Sequence, residues 1–146
     1  AKQINDFQKG RRTNNETMSG MAATLGSKQD AWDIGAYFQQ QTMKGKLTKT
    51  DSALAAKGEN LFRKGNPASG IYGCINCHGE SGKGRSAKIS AFPVIGGQHR
   101  DYIMKQLKEF RAGVRSNDPA GMMNGIASKL SDTEIQQLAE YLSTQI

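Results

Sequence analysis

Cysteine, histidine and proline are scarce in this chain: two, two and three in 146 residues. Both cysteines sit in one short motif, which leaves none for a structural disulfide and rules out a disulfide-stapled scaffold. Aromatic residues make up 7%, with a single tryptophan, and apolar residues 36%. Mean hydropathy is −0.63. That is little apolar material for a core built from side chains alone. No run approaches the roughly 18 apolar residues of a membrane-spanning helix. The net charge is +7. The Lys and Arg residues are scattered and accompany no recognition motif, which argues against nucleic acid. They suit steering toward acidic partner surfaces or an anionic membrane face. The length suggests one domain or a little more.

The two cysteines occur in Cys74-Ile75-Asn76-Cys77-His78. This is the attachment signature of a c-type haem. On one helical turn, two thiols can each add across one vinyl group of a haem edge, and the next residue can offer its imidazole to the iron. Zinc would need four ligands at workable spacing, and His99 is the only other soft candidate. A thioredoxin-like redox pair expects a βαβ context, whereas the flanks here are Gly, Asn and Ser loops followed by helical patterns. A covalent haem would also supply the apolar bulk that the composition lacks. In bacteria such attachment is made outside the cytoplasm, so a periplasmic location is expected. Ala1 follows no charged and apolar leader, so any export signal is expected to have been removed.

The chain contains a repeat. Residues 2–14 lie on residues 105–117, with identities at Lys2/Lys105, Gln3/Gln106, Phe7/Phe110, Gly10/Gly113, Arg12/Arg115 and Asn14/Asn117. After a two-residue gap, residues 18–25 lie on 123–130, and residues 34–38 on 138–142. Repeats of this kind decide architecture. The second copy forms the back of a domain whose front carries the motif. The first copy has no such front. The expected organisation is therefore a back half-domain at 1–40, a polar linker at 41–51, and a complete haem domain at 52–146. Left alone, the first copy would expose Ile4, Phe7, Leu25 and Tyr37, at a cost in apolar surface. It is expected to pack on its own haem domain or another chain, or to be completed by residues upstream of Ala1.

The periodicity predicts an all-α chain. Leu54, Gly58, Leu61 and Phe62 share one helical face, and Gly58 suits a close helix crossing. Residues 65–73 read as a loop, and the Gly/Ser/Lys-rich stretch 79–93 as a wrap around a haem edge. Ile103, Leu107 and Phe110 mark an amphipathic helix over 101–111. Asn117-Asp118-Pro119 is turn chemistry. Ser131 and Glu134 form a capping box for a last helix that presents Ile135, Leu138, Tyr141 and Leu142.

His78 supplies one axial position. His99 reads as a partly exposed surface residue and Met104 as core packing. Met122 and Met123 lie in a loop about 45 residues after His78, a length that can cross the distal face. The repeat selects Met123, because Met18 aligns with it, while Met122 aligns with Thr17 and ranks second. His/Met ligation raises the reduction potential and leaves no open position for substrate. Pro93 is a candidate to orient His78 through its carbonyl.

Cys74-Cys77-His78, the run Phe92 to His99, Lys105-Gln106-Leu107, Phe110, Gly113, residues 115–118, the methionine loop and Leu130-Ser131-Asp132 together resemble class I cytochromes c. The similarity is to the second domain of the two-haem cytochrome c4 type. The resemblance implies a cytochrome c fold with helices wrapped around haem c. It implies thioethers at Cys74 and Cys77, iron ligands His78 and Met123, support from Pro93, and a Gly58/Phe62 helix crossing the terminal helix near Tyr141. It also implies electron transfer rather than catalysis, between a redox donor and a terminal oxidase, with peripheral membrane association in some members. If a first haem exists upstream of Ala1, Met18 becomes its ligand. Two further functional classes stand beside a mobile carrier. One is a fixed haem c subunit of an oxidase or dehydrogenase complex. The other is an enzyme or gas sensor with a labile methionine.

Overall fold

The computed structural model describes residues 1–41, 50–85 and 91–145. The expected linker therefore lies mostly outside the described residues, as do residues 86–90 of the 79–93 stretch. In chain order the helices are α1 (Lys2–Gln8), α2 (Glu16–Ala23), α3 (Lys28–Gln39), α4 (Ser52–Lys64), α5 (Ile75–His78), α6 (Arg100–Arg111), α7 (Met122–Ala127) and α8 (Asp132–Ser143). Short 3-10 turns lie at Pro67–Ser69, Glu80–Gly82 and Pro119–Gly121. The described residues contain no strand, only an isolated bridge between Asn66 and Ile71. That bridge gives the 65–73 loop a tight closure and buries Ile71.

Local chemistry sets the ends of these helices. Asp51 caps α4 by accepting from the amides of Ala53 and Leu54. Ser131 and Glu134 close the capping box of α8, and Ser27 and Asp30 build the same box on α3. Each such cap contributes about 1 kcal/mol.

The core lies where α4, α6 and α8 meet. Leu61, Phe62, Ile103, Ile135, Leu138, Tyr141 and Leu142 are buried there. Each such side chain stabilises the fold by roughly 1.5–3 kcal/mol. The crossing of α4 on α8 is close because Gly58 has no side chain: a Cβ there would stand 2.0 Å from the carbonyl oxygen of Gln137. Four residues on, Phe62 meets Tyr141 with ring centroids 5.4 Å apart.

The first 40 residues pack on this domain through a near-twofold polar seam. Within its own copy, Arg12 donates to Gln3 and Asn14, and Arg115 donates to Gln106 and Asn117. Across the seam, Arg12 donates to Gln106 at 3.0 Å and Arg115 to Gln3 at 3.3 Å. Asn14 donates to Glu109 at 2.6 Å, and Asn117 to Asp6 at 2.7 Å. Arg12 covers the ring of Phe7, and Arg115 covers that of Phe110. Burial, with Arg12 alongside, pulls Arg115 down to about 10. Asp6 is buried, which by itself would raise its pKa. Hydrogen bonds from Lys2, Asn117 and Arg11 overcome that and hold it below the ordinary carboxylate range.

Of the apolar residues expected to be exposed in the first copy, Phe7 is buried and Ile4 and Leu25 are half-buried. Tyr37 and Phe38 are 60% and 66% exposed, while their repeat partners Tyr141 and Leu142 are 5% and 3% exposed. The difference has a simple cause. Helix α8 is covered by α4, and among the described residues no corresponding helix covers that face of α3.

Candidate functional site

Helix α5 is the motif itself. The amides of Cys77 and His78 both donate to the carbonyl of Cys74, at 3.1 and 2.9 Å, so the two thiols bracket one turn and the imidazole follows. The turn ends at Gly79, with φ 72°. A Cβ there would lie 2.4 Å from the carbonyl oxygen of Gly84, so only glycine lets the chain fold back this tightly. The amide of Gly84 then donates to the carbonyl of His78 at 2.7 Å. Arg63 on α4 pairs with Glu59 and Glu80 and ties the start of this loop to the core helix.

His78 is buried, and its Nδ1 lies 2.9 Å from the carbonyl oxygen of Pro93. A carbonyl can only accept, so Nδ1 carries the proton. Burial lowers the pKa of the ring, and the Pro93 carbonyl offsets this only in part. The imidazole is therefore neutral, and Nε2 keeps its lone pair for a metal. Both cysteines are unpaired. Burial pushes the Cys74 thiol up to about 11, which makes it a poor redox nucleophile. Half-buried Cys74, Ile75, Ile95, Met104, Leu107 and Ile126 extend the core as an apolar fringe. Two free thiols on one turn, a neutral imidazole of fixed tautomer and an apolar surround fit a covalently held haem. Among the described residues, no three His, Cys, Asp or Glu side chains gather as a metal site, which removes the zinc reading.

Met123 is half-buried, the second residue of α7. Met122, its neighbour, is 41% exposed. The amide of Met123 donates to Asp118 Oδ2 at 2.6 Å. Asn124 donates to the carbonyls of Phe110 and Arg115 and pins the loop to α6. His99 is exposed at the start of α6, and Met104 packs against the core. Met18, in α2, is 40% exposed, and its amide donates to Asn15 Oδ1 at 2.8 Å. Sequence reasoning missed Asp118, Asn124, Arg63 and Glu80 as supports. For Asp118 the signal was available, since the repeat register places it opposite Asn15.

The cytochrome c family profile matches residues 55–145. Cytochrome c4 of Thiocapsa roseopersicina is 42% identical over 97% of this chain and 70% of its own length. The thiosulfate dehydrogenase electron acceptor of Thiomonas intermedia is 36% identical over 99% of this chain and 65% of its own. The crystal structure of reduced recombinant cytochrome c4 from Pseudomonas stutzeri matches with a TM-score of 0.86 at 39% identity, over 99% of this chain and 78% of that one. The chain thus spans between 65% and 78% of these relatives. No described helix is long and apolar enough to cross a membrane. Motif, helical architecture and relatives agree: the chain belongs to the cytochrome c family, in its cytochrome c4 group, and is an electron-transfer protein with covalently bound haem c.

Proposed function

We propose that this protein carries single electrons in the periplasm, from a redox donor toward a terminal oxidase. Cys74 and Cys77 hold the haem as thioethers, His78 and Met123 are its axial ligands, and the Pro93 carbonyl orients His78. The observation that carries this reading is the 2.9 Å contact between His78 Nδ1 and Pro93, which presents a neutral imidazole directly after the two thiols. Bound haem supplies a one-electron couple, and a soft thioether ligand favours its ferrous state. The protein's part is to keep both ligands in place in either oxidation state. Gly79, Arg63 and the Pro93 carbonyl do this on the histidine side, and Asn124 and Asp118 on the methionine side. Exposed Tyr72, Val94 and Met122 flank the motif and its two ligand loops, and suit the small, weak interfaces of redox encounters.

In this reading residues 52–146 are a complete haem domain, 41–51 a linker, and 1–40 the back half of a first domain. The uncovered face of α3 and the shortfall in length against the relatives support that division. A first haem, where an upstream segment provides it, would take Met18 as its ligand. A second reading is a fixed haem c subunit serving a dehydrogenase. It is favoured by the relative described as a thiosulfate dehydrogenase electron acceptor.

The test is rapid mixing of reduced holoprotein with oxidase-containing membranes at rising salt. Fast oxidation that slows with salt is expected of a mobile carrier steered by its positive charge. Copurification with a dehydrogenase at high salt would favour the fixed subunit. Carbon monoxide binding by the reduced protein at neutral pH would contradict both.

A further inference from the structure

The methionine contacts of the two copies differ in an informative way. In α2, Asn15 caps the helix and Met18 is three residues on, with its amide 2.8 Å from Asn15 Oδ1. In α7 the cap position belongs to Gly121, yet the amide of Met123 still bonds the residue that aligns with Asn15, namely Asp118 Oδ2 at 2.6 Å. Two extra residues separate Asp118 from its methionine. The left-handed pair Ala120 (φ 55°) and Gly121 (φ 65°) takes them up. Asp118 is itself the N-cap of the 3-10 turn that runs into α7, and the same oxygen lies 3.4 Å from the amide of Asn124, so one carboxylate both caps this turn and holds the backbone of Met123. Asp118 Oδ1 is also buried, with no hydrogen-bond partner among the described residues. An exposed cap leaves its second oxygen in water and carries no such cost.

We propose that Asp118 is a positioning residue for the Met123 thioether, fixing its backbone so that the sulfur stands at the iron, as Asn15 is placed to do for Met18. This rests on Met123 being the axial ligand.

The test compares Asp118→Ala, Asp118→Asn and Met123→Leu as holoproteins, by the long-wavelength thioether-to-ferric-iron absorption band, the midpoint potential and far-ultraviolet circular dichroism. Both Asp118 variants lose the negative charge, and only Asn keeps an acceptor oxygen. The difference between them isolates the anchor. Asp118→Asn is expected to keep the band. Asp118→Ala is expected to lose most of it, with helical content unchanged and a potential below that of Asp118→Asn. A parental band in Asp118→Ala, or its loss in Asp118→Asn, overturns the proposal. Should the Ala variant fail to fold, Asp118→Leu, of similar size and without an acceptor oxygen, takes its place with the same expectation. Met123→Leu separates the two levels: a band surviving there overturns the ligand assignment and the proposal with it. Loss there with no change in Asp118→Ala overturns the proposal alone.

Discussion

Replacing Gly58 with alanine tests how the haem domain is closed. The new methyl carbon would stand 2.0 Å from the carbonyl oxygen of Gln137, 2.6 Å from its carbonyl carbon and 2.9 Å from Tyr141 Cβ. The first two are backbone atoms and cannot swing aside. Ordinary contact begins near 3.4 Å, so α4 and α8 must separate by about 1.4 Å. That movement loosens Phe62 against Tyr141 and the layer around Leu138, at a cost near 3 kcal/mol, the upper end of overpacking. Alanine returns about 1 kcal/mol of helix propensity. The net expectation is a loss of roughly 2 kcal/mol. The assay is equilibrium guanidinium unfolding of the holoprotein followed by circular dichroism, with Gly20→Ala as control. Gly20 lies in α2 with nothing within 4 Å of its Cβ position, so that variant should gain up to about 1 kcal/mol. A Gly58→Ala protein as stable as its parent would refute the close crossing.

Other outcomes follow from the same reasoning. Ala120 holds φ 55°, and Ala120→Gly should stabilise the chain by about 1 kcal/mol in the same unfolding assay; an unchanged midpoint would refute the strain. The pair Arg63–Glu80 is exposed on both sides and screened by solvent, so a double-mutant cycle in the same unfolding assay should show no measurable coupling. The folded-state pKa of Asp6 is depressed, so its contribution is present above the unfolded value and is lost as pH falls through the folded value. Amide exchange in α1 should therefore rise in acid before that in α8 does, and Asp6→Asn should remove this difference.

The motif and its attached chemistry were legible because their spacing is dictated by covalent geometry. The α8 capping box, the Gly58 crossing and the apolar stripe of α6 were legible because each has a short-range pattern. The seam between the copies was not. Gln106 lies on α6 among charged neighbours and reads as a solvent residue, yet it is buried and accepts from Arg12, Asn14 and Arg115. Hydrophobic periodicity cannot find a buried polar group. The repeat could have, since the identities Gln3/Gln106, Arg12/Arg115 and Asn14/Asn117 are the seam. The Pro93 carbonyl, named from the sequence as a candidate partner of His78, lies 2.9 Å from its Nδ1 across 15 residues of chain.

The central claim is a haem bonded to Cys74 and Cys77, and intact mass under denaturing conditions tests it most directly. The account predicts the mass of the polypeptide plus one haem for these 146 residues, no titratable thiol, and loss of one linkage in Cys74→Ala. A chain at the bare polypeptide mass, with both thiols free to alkylate, would contradict it.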